Sequence, residues 1–239
     1  MPQTAPQTSQ ITTLGFDADD TLWHNERIFQ FTEAHFTELL ADHAASDHLR
    51  ERLLAAERRN LSRYGYGIKG FVLSMIETAL EVTDNRVPGE IIERILAAGR
   101  EMIAHPVEPL PHVRETLEAL SGSYRLVLIT KGDLFDQERK VAESGLAELF
   151  RAVEIVSEKT QVTYATLFAR HGTGPVEAMM IGNSVKSDIL PALGAGAHGV
   201  HVPHDITWAL EEADAPEGIE RFHRIDHMGK LPELLARLT

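Results

Sequence analysis

Ile11-Thr12-Thr13-Leu14-Gly15-Phe16-Asp17-Ala18-Asp19-Asp20-Thr21-Leu22-Trp23 runs from a short apolar stretch straight into a cluster of acids. An apolar run of this length, ended by polar residues, reads as a buried strand with a site at its C-terminal tip. In open α/β sheets ligands bind at that edge of the strands. Asp17 and Asp19 stand one residue apart and repel one another unless a cation or a proton intervenes. A divalent metal solves this and leaves one carboxylate to attack and the other to shuttle protons. Taken alone, the pair also fits a turn or a helix cap.

Working outward, Arg125 to Ile129, Ala152 to Val156, Ala178 to Ile181 and Gly199 to Val202 read as further strands. Helical patterns lie between them, at about Asp133 to Ser144, Thr160 to Arg170 and Ser187 to Leu193. Helices alternating with short apolar strands predict crossover units and a parallel sheet. The stretch from His24 to Ala104 differs. Ile28 to Leu40 and Leu49 to Leu61 are helical by pattern. Phe71, Met75 and Ala79 recur every four residues, beside Val72, Ile76 and Leu80. Ile91, Ile92, Ile95, Leu96, Met102 and Ile103 form another face, entered through Pro88. Helices alone, between the first strand and the rest of a sheet, predict an inserted domain. Residues 23–104 are assigned to it, and residues 1–22 and 105–239 to the α/β core. The return crossing carries Pro106, Pro109 and Pro111, and the outward one is Trp23 to Glu26. Two short crossings make a hinge, so the insertion is expected to serve as a lid.

Composition narrows the partners. The chain has 239 residues, a formal charge of −13 and no cysteine. Disulfides, thiolate zinc sites and cysteine nucleophiles are therefore excluded. Nucleic acid is not expected as a partner, because backbone binding needs clustered Lys and Arg. A small anion needs only a local positive focus. No apolar run reaches the roughly 18 residues of a membrane span. Met1 to Gln10 is polar and reads as a frayed tail rather than a signal peptide, and with no cysteine the cytoplasm is the expected compartment by default.

Each later strand also ends in a polar signal. Thr130-Lys131-Gly132-Asp133 follows the second, Ser157-Glu158-Lys159 the third, and Gly182-Asn183-Ser184 the fourth, with Asp188 five residues beyond Asn183. In a parallel sheet these tips converge, which gathers Asp17, Asp19, Thr130, Lys131, Lys159, Asn183 and Asp188. The ordered set resembles the haloacid dehalogenase-like hydrolase superfamily along the whole chain, and within it the FMN- and nucleotide-phosphatase type. The resemblance implies a Rossmann-like α/β sheet flanked by helices with an all-helical cap. It implies Mg²⁺-dependent hydrolysis of a small phosphorylated metabolite. Asp17 would be the nucleophile forming an aspartyl-phosphate, and Asp19 the acid and base, its main-chain carbonyl facing the metal. Thr130 would donate to the phosphoryl group, with Lys131 and Gly132 beside it, and Lys159 would neutralise the meeting anions. Asp17, Asp19, Asn183 and Asp188 form the expected metal set.

Several positions depart from the family pattern. Asn183 replaces an acid, so weaker metal binding is expected, with Asp188 supplying the acidic contact directly or through water. Lys131 replaces an asparagine and adds positive charge near the phosphate. Asp20 replaces a glycine and is read as a turn residue, since aspartate tolerates left-handed backbone. Lys159-Thr160 replaces lysine-proline. In the insertion, Arg63-Tyr64-Gly65-Tyr66-Gly67-Ile68-Lys69-Gly70 fits either a turn between helices or a loop whose Tyr64, Tyr66 and Lys69 select the leaving group. The flanks of His198, His201 and His204 show no ligand-plus-carboxylate constellation of the kind a zinc site needs, so these read as surface or packing histidines. A phosphomutase and an inactive phospholigand-binding homologue are the competing readings. The presence of Asp19 separates the phosphatase from a dehalogenase, whose leaving halide needs no acid.

Overall fold

The computed structural model describes residues 10–238. The stretch Met1 to Ser9, most of the tail read above, and Thr239 lie outside them. Six strands, β1 (Thr13–Phe16), β2 (Arg125–Lys131), β3 (Ala152–Val156), β4 (Ala178–Gly182), β5 (His198–His201) and β6 (Phe222–Arg224), form one sheet in the order β3-β2-β1-β4-β5-β6. The helices, in chain order, are α1 (Glu26–Leu39), α2 (Ser46–Tyr64), α3 (Ile68–Val82), α4 (Gly89–Ala104), α5 (Val113–Ser121), α6 (Leu134–Glu143), α7 (Gln161–His171), α8 (Leu190–Ala195) and α9 (Leu231–Leu238). This is the Rossmann-like α/β sheet with an all-helical insertion that the pattern predicts.

The described residues fall into two compact units. One runs to His24, resumes over Glu108–Thr130 and continues from Ser144. Its centre is β1, with all four residues buried, paired in parallel to β2 (Phe16 beside Leu128) and to β4 (Phe16 beside Ile181). Burial on both faces explains why β1, β2 and β4 read as nearly unbroken apolar runs. Tyr164, Leu167 and Phe168 of α7 cover Val127, Ile129 and Met180 of the sheet. Thr160 opens α7 by accepting the Thr163 N–H at 3.1 Å, so it caps the helix where the family pattern has proline. The two crossings run side by side within this unit. Trp23 bridges Pro109, and Leu110 N–H donates to the Leu22 carbonyl at 2.9 Å.

The second unit comprises Asn25–Val107 and Lys131–Glu143. Its core is Phe36, Leu40, Leu49, Leu53, Phe71, Met75, Ala79, Ile95 and Met102, which are the helical rows of the sequence pattern. Gly65 and Gly67, at φ 72° and 106°, carry the chain between α2 and α3. That stretch is therefore a three-residue turn.

Three elements escape the sequence pattern. β6 is Phe-His-Arg at the sheet edge, too short and polar to alternate. α5 and α9 are short, and each signals itself by little more than one apolar stripe: Val113, Leu117 and Leu120, and Leu231, Leu234 and Leu235. The stretch expected as a helix from Ser187 begins instead with a wider π-turn, Val185–Ile189, before α8. Among the described residues no helix is long and apolar enough to cross a membrane.

Candidate active site

Asp17 follows β1 directly and extends its pairing, its N–H donating to the Ile181 carbonyl at 2.9 Å. The chain then turns sharply. Thr21 and Leu22 N–H both donate to the Ala18 carbonyl, and Asp20 adopts φ 61°, the left-handed backbone expected of that position. The turn points Thr21 back at the site. Its hydroxyl accepts the Asn183 N–H at 3.0 Å and lies 3.3 Å from Asp17 Oδ2 and 3.2 Å from Asn183 Oδ1. Trp23, fully buried, donates its indole N–H to Asp19 Oδ1 at 2.7 Å. That bond fixes the orientation of the Asp19 carboxylate. Thr130 is buried at the end of β2, and the Phe16–Leu128 register sets it at the same sheet edge as Asp17.

Lys159 joins the strand tips. Its ammonium donates to Asp17 Oδ1 and, at 2.7 Å, to Asp188 Oδ1. Asp188 is wholly buried, and its Oδ2 accepts the Ser184 N–H at 3.0 Å. Gly182 makes this possible, because a Cβ there would collide with the Asp188 carboxylate. The π-turn makes Ser184 O the acceptor of both the Asp188 and Ile189 N–H groups and folds Asp188 inward. Such turns recur at functional sites.

Two carboxylates thus share one buried ammonium. Burial, and Asp188 beside it, push Asp17 up to about 7, although Lys159 pulls the other way. Burial lowers an ammonium, but Asp17 and Asp188 outweigh it and hold Lys159 above the usual lysine range. The cluster has an excess of negative charge. Asp17 Oδ2 and Asn183 Oδ1 converge on one hydroxyl, and both are hard oxygens, as a small divalent cation requires. The chemistry of these two donors fits Mg²⁺. Asp188 is directed mainly at Lys159.

The remaining predicted residues group in the second unit. Lys131 Nζ stands 4.0 Å from the centroid of the Tyr66 ring. Lys69 donates to both Asp133 oxygens, at 2.9 and 3.0 Å, and lies 5.8 Å from the Phe135 centroid. Tyr64 donates to Glu77 at 3.1 Å. Gly132 adopts φ 146° against the Gln137 side chain. His198, His201 and His204 have separate partners: His198 lies against His223, His201 against the Asn183 carbonyl, and His204 against the Ile206 carbonyl and Asp20. Thr21 and Trp23 are site residues that the sequence reading does not single out. Both stand inside the first motif, and the signal that identifies them is a donor two or four residues from a paired acid.

A family model for haloacid dehalogenase-like hydrolases matches residues 11–196. A haloacid dehalogenase-like family hydrolase of Xanthomonas campestris is 39% identical, with a TM-score of 0.85 and 96% of each chain covered. A glyceraldehyde 3-phosphate phosphatase of Methanothermobacter thermautotrophicus is 26% identical over 231 residues, 92% of this chain and 97% of the relative. L-2-haloacid dehalogenase of Xanthobacter autotrophicus shares the fold at 16% identity, with a TM-score of 0.63 over 96% of this chain and all of that one. The fold therefore leaves the choice between leaving groups to the site residues.

Proposed function

The chain belongs to the haloacid dehalogenase-like hydrolases, and we propose that it is a Mg²⁺-dependent phosphatase of a small phosphomonoester. The observation that carries this reading is Asp19, a second carboxylate two residues beyond the nucleophile and oriented by the Trp23 indole. A departing alkoxide needs an acid and a halide does not. The likeness to a glyceraldehyde 3-phosphate phosphatase supports the same class.

In the proposed reaction an Asp17 oxygen forms a bond to phosphorus as the bond to the leaving oxygen breaks, and Asp19 gives that oxygen its proton. A water molecule then attacks the aspartyl-phosphate, Asp19 takes its proton, and Asp17 is regenerated with release of inorganic phosphate. Thr130 donates to a phosphoryl oxygen. Lys159 offsets the charge of nucleophile and phosphate, so the anions meet at lower cost. When bound, Mg²⁺ would be held by Asp17, the Asp19 carbonyl and Asn183, with Asp188 behind them, and supplies charge neutralisation at the phosphate. We extend the proposal to leaving-group selection by Lys131, Gly132, Tyr64, Tyr66 and Lys69.

The test is phosphate release from a panel of phosphorylated metabolites, glyceraldehyde 3-phosphate included, with and without Mg²⁺. No release from any member overturns the reading, and isomerised phosphosugar without free phosphate would make the protein a mutase. Asp19→Asn should lower kcat by about two to four orders of magnitude on alkyl phosphates. On an activated aryl phosphate, whose leaving group needs little proton donation, the loss should be far smaller. Equal losses on both would remove Asp19 from the acid role. Asn183→Asp restores a charged ligand and should tighten Mg²⁺ about tenfold, read as the half-saturating Mg²⁺ concentration.

A further inference from the structure

The turn that presents Asn183 and Asp188 is braced from outside the span matched by the family model. Glu211 Oε2 accepts two hydroxyls of that turn, Ser184 Oγ at 2.7 Å and Ser187 Oγ at 2.5 Å. Lys186, between them, donates to the Leu210 carbonyl at 2.6 Å. His201 Nε2 lies 3.0 Å from the Asn183 carbonyl. The family-model match ends at residue 196, and all four contacts come from residues beyond it, Glu211, Leu210 and His201.

We infer that Glu211 is a positioning residue that locks the 183–188 turn into its site geometry. Ser184 is the point of leverage. Its hydroxyl accepts the Ser187 N–H at 3.0 Å, its N–H donates to Asp188 Oδ2, and its carbonyl takes both amides of the π-turn. Glu211 orients that hydroxyl and the Ser187 hydroxyl with one oxygen, through charge-assisted bonds of the stronger kind. It also places negative charge at the N-terminal end of the helical run that continues into α8, where an anion is favoured. A π-turn is a rare geometry, found mostly at functional sites, and here an outside carboxylate holds two of its hydroxyls. The turn carries Asn183 out to the cation site and Asp188 in to Lys159. Loosening it should spread both over several positions. That consequence for the cation rests on the phosphatase reading, whereas the fixing of the turn does not.

Hydrogen exchange on the metal-free protein separates the two. Glu211→Ala should speed exchange of the Asp188 and Ile189 amides about tenfold or more, while those of Met179 to Ile181 stay as they are. Calorimetric titration should show Mg²⁺ binding weakened about tenfold, as loss of an outer anchor does, with kcat at saturating Mg²⁺ within about threefold of the parent. Glu211→Gln, which keeps an acceptor without the charge, should fall between. Ser184→Ala/Ser187→Ala, which also removes the acceptor of the Ser187 N–H, should loosen the turn at least as much, and adding Glu211→Ala to it should change nothing more. Unaltered exchange at 188 and 189, a rise spread evenly over the sheet, or additive effects would overturn the inference. If the parent protein bound no Mg²⁺ and hydrolysed no phosphoester, the functional reading would fail while the exchange result still decided the role of Glu211.

Discussion

Asp17→Asn should reduce phosphate release by about four orders of magnitude or more, equivalent to at least ~5.5 kcal/mol of lost transition-state stabilisation. The substitution keeps shape and volume, removes the charge of the attacking carboxylate and turns one of its two accepting oxygens into an NH2 donor. It should not unfold the protein. Burial and the neighbouring Asp188 raise Asp17 to about 7, against an ordinary 3.8. Native Asp17 thus holds its proton more tightly than the unfolded chain does. Its contribution to metal-free stability is lost as pH rises from the lower value to the higher. At pH 8 without Mg²⁺ the Asp17→Asn variant should therefore melt no lower than the parent, and any stabilisation should shrink towards pH 5. Two measurements check this: initial rates of phosphate release, and thermal melts in EDTA at both pH values. Peptide mass mapping of acid-quenched parent enzyme should locate a phosphoryl group on the segment holding Asp17, absent from the variant. Undiminished turnover by Asp17→Asn would remove the nucleophile from the scheme. A melting temperature several degrees lower at pH 8 would contradict the electrostatic account and leave the chemistry standing.

What the sequence disclosed, and what it withheld, follows from how far each signal travels along the chain. β1, β2 and β4 are buried on both faces, so a few consecutive apolar residues betray them. The helical rows of the insertion repeat for several turns, and their residues form the core of the second unit. Because parallel strands end at one edge, the convergence of Asp17, Lys159 and Asp188 is implicit in where the apolar runs stop. β6 is three residues long, and its partner is fixed only in space. The division of labour within the set was hidden for the same reason. Nothing local states that Asp188 turns from solvent to Lys159, because that depends on the absent side chain of Gly182 and on a π-turn. Glu211 was invisible too. It lies 24 and 27 residues from the hydroxyls it accepts, and nothing in Trp208-Ala209-Leu210-Glu211-Glu212 sets it apart from the glutamate beside it.

Lys159→Met should be the most damaging substitution for the fold as well as for the reaction. The lysine side chain is 2% exposed, and the carboxylates it joins, Asp17 and Asp188, are 9% and 0% exposed. Removing one member of a buried ionic group leaves the others uncompensated, at a cost of about 3–5 kcal/mol. Here two like charges are stranded together, and a shared proton is the cheapest remedy. The sign of the pH dependence follows. Without the ammonium the native carboxylates bind a proton well above the unfolded aspartate range, so the variant loses stability as pH rises above about 4, the ordinary aspartate value. In EDTA its deficit against the parent should be modest at pH 5.5 and near its full size at pH 8, read from urea denaturation midpoints at an unchanged slope. Asp188→Asn in the same background removes one of the stranded charges. The double variant should therefore recover part of the loss at pH 8 and little at pH 5.5. Turnover should stay at least about two orders of magnitude below the parent in both, because neither restores a cation beside Asp17. A deficit equal at the two pH values would mean that Lys159 acts through packing of its stem, and recovery of turnover in the double variant would show that its charge is dispensable to phosphoryl transfer.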